Sequence, residues 1–361
     1  MDRRIYLDYN SDAPLLPAVV AAMASGLADY GNPSSQHGLG RSARSAVDGA
    51  RQALGTYLEA DSDYIIFTSS GTEANNQALR AADWDHVLVS AIEHESVLKA
   101  REDAKVFPVL PSGVVDLAAL EEMLAPLEGR ILISLLWASN ETGVLQPMEE
   151  VVALAQRYGA RVHSDVTQAF GKVPLSFVQS GVDMMTLSAH KCGGPQGVGA
   201  LIVKETVPLT AFIRGGGQEK NRRSGSENVL ALRGLEALLV HAPDLGFLAP
   251  WHQWMEIQLK GAQIVSAGVP RLPNTSCVVM PGILNQVQMM YFDLKGISLS
   301  VGSACSSGRI TRSRVLEALP GGALLAPYAI RVSSGWNTTR EDLEVFVELW
   351  NTLYEKKGST L

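Results

Sequence analysis

At 361 residues, with 46% hydrophobic and 19% charged side chains, the chain has material for about two domains with cores of their own, which excludes disordered and fibrous architectures. Thirty basic against thirty-seven acidic residues leave a formal charge of -7, so there is no broad positive field for nucleic acid or an anionic membrane. Three cysteines, Cys192, Cys277 and Cys305, are too few for a disulfide framework, and no stretch approaches about 18 consecutive apolar residues; a cytoplasmic protein without a membrane span is expected.

Short apolar runs at 65–67, 86–89, 131–136, 161–164, 184–187 and 199–203 predict strands. Between them Ala43, Val47, Ala50, Leu54 and Leu58 recur at helical spacing, as do Leu117, Leu120 and Leu124 after a capping Asp116, and Val151, Leu154 and Tyr158 before Gly159. This alternation predicts an α/β fold, a mostly parallel sheet covered by helices. Beyond a weakly periodic stretch at 241–254 the texture changes to short strands and two helices. A large domain at 15–245 and a smaller α+β domain formed by 1–14 and 246–361 are therefore expected. The last helix is expected to start at Thr338 or Thr339, each followed three residues later by an acid, and to bury Leu343, Phe346, Val347 and Trp350.

Four segments carry groups suited to chemistry. Ser188-Ala189-His190-Lys191 follows a strand and opens a glycine-rich turn. Most lysines are surface residues, but one at the carboxyl end of a parallel strand lies where open α/β sheets bind ligands, and desolvation there favours the neutral amine that condenses with a carbonyl. Thr68-Ser69-Ser70-Gly71-Thr72 is a small-residue turn before a helix, either a simple N-cap or a cradle of N–H groups for a phosphate; it matches neither common nucleotide-binding glycine motif. Asp165, in His163-Ser164-Asp165-Val166-Thr167-Gln168, is either a loop cap or the acid that keeps a ring nitrogen protonated. His163, Asp165, His190 and Cys192 are nominal metal ligands, but their spacing fits no zinc motif and no metal is expected. Cys305 sits among small residues in Gly302-Ser303-Ala304-Cys305-Ser306-Ser307-Gly308, as suits an exposed nucleophilic thiol. Cys277 reads as strand interior, and Cys192 as packing beside the lysine turn.

Taken in order, these segments resemble the cysteine desulfurases of the NifS and IscS type, fold-type I enzymes of the class V aminotransferase superfamily. The likeness also covers Tyr6-Leu7-Asp8-Tyr9, Gly31-Asn32-Pro33-Ser34-Ser35 with His37, Glu93-His94, Asn140-Glu141-Thr142-Gly143, Arg223-Ser224-Gly225-Ser226 and Ile330-Arg331-Val332-Ser333. It implies pyridoxal 5'-phosphate as cofactor, held covalently by Lys191, with Asp165 on the pyridine nitrogen, His94 stacked on the ring and Gln168 on the ring oxygen. Gly71, Thr72, Ser188 and His190 would hold the phosphate, with Ser226 reaching in from the second subunit of a homodimer, and Asn140 and Arg331 would bind the carboxylate of L-cysteine. Cys305 would take the sulfur as a persulfide and pass it to an acceptor or scaffold protein for iron-sulfur cluster or other thio-cofactor assembly, with alanine released. A selenocysteine lyase, another β-elimination enzyme on the same scaffold, or a non-catalytic paralogue serving as a subunit are the alternatives. One departure stands out: where the family commonly has Ala-Thr-Thr-Pro, this chain has Ser11-Asp12-Ala13-Pro14. This is expected to put a carboxylate near the substrate entrance and to weaken carboxylate binding.

Overall fold

A computed structural model describes residues 4–302 and 313–358, with side chains up to 356. In chain order, β1 (Ile5–Tyr6) precedes α1 (Pro17–Gly26), α2 (Gly38–Leu58), β2 (Ile65–Thr68), α3 (Gly71–Arg80), β3 (His86–Ser90), α4 (Glu95–Leu98), β4 (Lys105–Phe107) and α5 (Leu117–Leu124). Then come β5 (Ile131–Ser134), α6 (Met148–Arg157), β6 (Arg161–Asp165), α7 (Phe177–Ser180), β7 (Met184–Ser188), β8 (Gly199–Val203) and α8 (Val229–His241). The remainder comprises α9 (Leu248–Gln258), β9 (Gln263–Ile264), β10 (Thr275–Val279), α10 (Asn285–Leu294), β11 (Ile297–Ser298), α11 (Arg314–Ala318), β12 (Ala329–Ser333) and α12 (Arg340–Gly358).

The main sheet has the order β2-β8-β7-β6-β5-β3-β4. Its strands are parallel except β8, which runs against both neighbours, so Gly199 at its start pairs with Thr68 and Ser188 at the ends of β2 and β7. Helices cover both faces, which is why the strands read as continuous apolar runs. Successive residues still alternate between two cores: Ile65, Phe67, Leu88, Ile133 and Met185 pack with Val47 and Leu54 of α2, whereas Ile66, Val89, Leu132 and Met184 pack with Ala78 and Leu79 of α3. The carboxyl ends of β2, β3, β6 and β7 gather at one edge, the usual place for a ligand in such a sheet.

A second sheet, β12-β10-β9, is antiparallel, and β1 pairs with β11 beside it. Val278, Ile330 and Val332 of this sheet pack with Met255 of α9, Phe292 of α10, and Phe346 and Trp350 of α12. Helix α12 opens with a capping box in which Thr339 Oγ1 accepts from Asp342 N at 3.2 Å and Asp342 Oδ2 accepts from Thr339 N at 2.9 Å. The expected weakly periodic stretch runs into α9, and the described residues after that helix hold three further α-helices rather than two. Ile257 on α9 is 79% exposed while His252 is buried, so the apolar and polar faces that mark a helix in sequence are mixed.

Between β8 and α8 three consecutive non-glycine residues, Glu219, Lys220 and Asn221, have φ of 48°, 56° and 63°. Each left-handed residue costs roughly 1–2 kcal/mol. The run is held by Glu219, whose carboxylate accepts from Arg51 Nη2 at 2.6 Å and from Phe67 N at 2.9 Å.

Candidate active site

A cavity of about 740 Å³ opens at the carboxyl edge of the main sheet. Gly71, Thr72, His94, Asn140, Asp165, Gln168, Ser188, His190, Lys191 and Arg331 all line it, so the structure brings together ten of the residues singled out in the sequence. Ser226 is exposed and does not line it, and Cys305 lies outside the described residues.

One end of the cavity is built for an anion. Ser70 caps α3 by accepting from Glu73 N at 3.2 Å, which leaves the first N–H groups of this ten-residue helix at the cavity. Two glycines let the chain pass closely here: a Cβ on Gly71 would lie 3.3 Å from Thr167 Oγ1, and one on Gly199 would lie 2.7 Å from the carbonyl carbon of Ser70. Thr167 Oγ1 is itself buried without a hydrogen-bond partner among the described residues. His190 completes this end. Burial lowers its pKa, and Asp12, whose Oδ1 is 2.8 Å from His190 Nδ1, works in the opposite direction.

Asp165, at the end of β6, accepts from Asn75 Nδ2 at 2.8 Å and from Thr167 N at 2.9 Å. Its neighbour Glu93 is fully buried, and that burial, reinforced by the charge of Asp165, pushes its pKa well above the carboxylate range. Of these two acids only Asp165 lines the cavity. His94 stands at the N-cap of α4 with its Nδ1 2.7 Å from Ser96 Oγ and 3.1 Å from Ser96 N, so the ring is fixed in orientation.

Lys191 is reached from behind by a second lysine. Lys172 is buried and donates to Asn10 Oδ1 and to Gln168 Oε1, both at 2.7 Å. Burial lowers its pKa well below the lysine range, and Lys191 adds to this. These bonds fix the amide of Gln168, whose Nε2 donates to Asn10 O at 3.0 Å. Asn10 is a hub: its Nδ2 donates to Asn140 O at 3.1 Å and to Thr275 Oγ1 at 2.9 Å. Sequence reasoning missed Asn10 and Lys172, although Asn10 follows Tyr9 directly and Lys172 stands four residues after Gln168.

At the opposite end, Arg331 on β12 is 2% exposed. Its Nη2 donates to Asp8 Oδ1 at 2.6 Å and Ser11 Oγ at 2.8 Å, its Nη1 to Asn140 O at 3.1 Å, and its Nε is buried without a partner among the described residues. Asp12, expected near the substrate entrance, bonds to two residues that line the cavity. Asp12 reaches His190 and Gln196, and the carboxylate on Arg331 is Asp8, because the chain turns between them and Tyr6 Oη donates to Asp12 O at 2.8 Å.

The segment that carries Cys305 is flanked by residues tied to this site. Ser300 and Arg331 exchange backbone hydrogen bonds of 3.3 and 2.8 Å, and Ser313 Oγ donates to the buried Glu141, next to Asn140. The other two cysteines are packing residues: burial pushes the thiols of Cys192 and Cys277 up to about 12. His163 has one nitrogen 2.9 Å from Ser134 Oγ and the other 3.0 Å from Thr186 Oγ1, and burial holds its pKa down at about 4, as in a satisfied core histidine.

The family model for class V aminotransferases matches residues 5–346. The chain belongs to this family. Within it the chain is 34% identical over 379 residues to the cysteine desulfurase IscS of Dictyoglomus turgidum, covering 99% of this chain and 96% of that protein. It is 38% identical over 360 residues to a cysteine desulfurase of Cereibacter sphaeroides, covering 94% and 92%. Among solved structures, a NifS-like protein from Rickettsia africae superposes with a TM-score of 0.89 at 35% identity, covering 98% of this chain and 100% of that one. A structure titled SspA in complex with cysteine gives 0.79 at 27% identity, covering 91% and 98%.

The cofactor of this class V aminotransferase is pyridoxal 5'-phosphate, and the residues present fit it. The α3 N-terminus with Thr72, Ser188 and His190 suits a phosphate, Lys191 offers an amine, and Asp165 offers an acceptor to a protonated ring nitrogen. When bound, the group supplies an electron-withdrawing ring that takes up the charge released by bond cleavage at a substrate Cα.

Proposed function

We propose that this class V aminotransferase acts as a cysteine desulfurase, converting L-cysteine to L-alanine and leaving the sulfur on Cys305. The thiolate of Cys305 attacks the substrate sulfur, an S–S bond forms, and the C–S bond breaks with its electron pair going to carbon, which then takes up a proton. The supporting observation is a single cavity lined by Lys191, Asp165, His94 and Arg331, in a chain over a third identical to named cysteine desulfurases along nearly its whole length.

In this reading Lys191 holds the cofactor and moves the substrate proton, Asp165 keeps the ring nitrogen protonated, Gln168 meets the ring oxygen and His94 covers the ring. Gly71, Thr72, Ser188 and His190 receive the phosphate. Asn140 and Arg331 receive the substrate carboxylate. The protein is a homodimer, with Ser226 entering the partner's site; the exposure of Ser226, and of Leu27 at 71% and Tyr30 at 76%, supports a covering subunit. Residues 15–245 form the cofactor-binding domain, and 1–14 with 246–361 the small domain. Sulfur passes from the Cys305 persulfide to an acceptor protein in the cytoplasm, for iron-sulfur cluster or other thio-cofactor assembly.

The test is alanine release from L-cysteine by the cofactor-loaded protein with a reductant, beside Cys305→Ala and Lys191→Ala. Release with coupled sulfide in the wild type, lost in both variants, is expected. Full alanine release by Cys305→Ala would replace the persulfide route with direct β-elimination.

A further inference from the structure

The segment 12–13 clamps His190 at both ends. Asp12 Oδ1 lies 2.8 Å from His190 Nδ1, and Ala13 N donates to His190 O at 2.9 Å. The second carboxylate oxygen of Asp12 is also engaged, accepting from Gln196 Nε2 at 2.8 Å, so the carboxylate cannot swing away. Both His190 and Gln196 line the cavity beside Gly71, Thr72 and Ser188. Nothing in the class V resemblance asks for an acid at position 12, where the family commonly has threonine.

A carboxylate only accepts, so the proton of a neutral His190 ring sits on Nδ1, facing Asp12. Nε2 is then an acceptor, which repels a phosphate oxygen. It becomes a donor only when the ring takes a second proton. The titratable groups that act on His190 are Asp12, Lys191 and Lys172, and of these only Asp12 favours the imidazolium. Resting on the reading in which His190 meets the cofactor phosphate, we propose that Asp12 is a positioning residue that fixes the His190 ring and allows it to bind that phosphate as a cation. Phosphate, imidazolium and carboxylate then form a charge-alternating row, and cofactor binding draws a proton onto the protein.

The discriminating probe is pyridoxal, which can condense with Lys191 but has no phosphate. Dissociation constants of pyridoxal 5'-phosphate and of pyridoxal are measured by visible absorbance on the cofactor-free wild type, Asp12→Ala, Asp12→Asn and Asp12→Thr. Because Asp12 is 45% exposed at its side chain, the effect is moderate: pyridoxal 5'-phosphate should bind about tenfold more weakly in each variant. Pyridoxal should be unchanged within about twofold, and Asp12→Ala should add nothing in a His190→Asn background. From neutral pH upward the preference for the phosphorylated form should decline in the wild type and stay flat in Asp12→Asn. Equal weakening of both compounds, or an additive effect with His190→Asn, would overturn the proposal. A wild type that takes up neither compound removes the cofactor reading and this proposal with it. Uptake of both with an unchanged ratio in the variants removes the proposal alone.

Discussion

The pair Arg51–Glu219 is the place where one atom's charge should matter most to stability. Its side chains are 10% and 1% exposed. Glu219→Gln preserves shape and one acceptor oxygen but leaves Arg51 a buried cation, a change that costs about 3–5 kcal/mol in comparable pairs. Arg51 retains Ile65 O at 2.7 Å and the ring of Phe67, 4.7 Å from its guanidinium carbon, which favours the lower end, about 3 kcal/mol. A second cost comes from the left-handed turn at Glu219, Lys220 and Asn221, which the same carboxylate pins to β2. The assay is denaturant unfolding of the cofactor-free protein, in which the midpoint should drop without a change in slope. The double variant Arg51→Met, Glu219→Leu should be less destabilised than Glu219→Gln, because it removes both charges. A loss below about 1 kcal/mol in Glu219→Gln would refute the argument that this pair holds the turn.

Two further outcomes are expected. Lys172→Met leaves Gln168 Oε1 as a buried acceptor without a donor and Asn10 Oδ1 with only Asn274 Nδ2 at 3.4 Å, so stability should fall by about 1–3 kcal/mol and KM for cysteine should rise through the loosened Asn140; an unchanged unfolding midpoint would count against it. His252, between Ser276 Oγ at 2.8 Å and Ser334 Oγ at 2.9 Å, is held by burial at about 4, below the 6.5 of an unfolded histidine. The unfolded chain therefore binds the proton first, and this stabilisation, complete above pH 6.5, is lost as pH falls toward 4, by about 2 kcal/mol at pH 5. Unfolding midpoints compared at the two ends of that range should show the fall, and His252→Gln should flatten it.

Much of the large sheet was legible because each strand and helix carries its own signal. Asp116 accepts from Ala119 N at 3.1 Å as its position before an apolar period suggests, and Thr339 with Asp342 forms the capping box at the last helix. Strand β4 was not legible: it is a three-residue edge with Val106 52% exposed, too short to show a period. The reversed direction of β8 was not legible either, since an apolar run is the same read either way. At the site, residues with distinctive chemistry declared themselves, whereas Asn10 and Lys172 act by touching other side chains that only the fold brings near. Asp12 was noticed in sequence, but its partners His190 and Gln196 were not legible, because only the fold brings them to it.

The Arg331 end of the cavity is stitched from the two extremes of the described chain. Asp8, Asn10 and Ser11 come from its first turn, while Arg331 and Ser333, which hold them, lie on β12 more than three hundred residues later. During synthesis Gly199 of β8, which joins the ends of β2 and β7 at the other end of the cavity, is added long before Arg331. Asp8, Asn10 and Ser11 therefore wait for their partners until the chain is nearly finished, and this end of the cavity is among the last parts of the fold that can form.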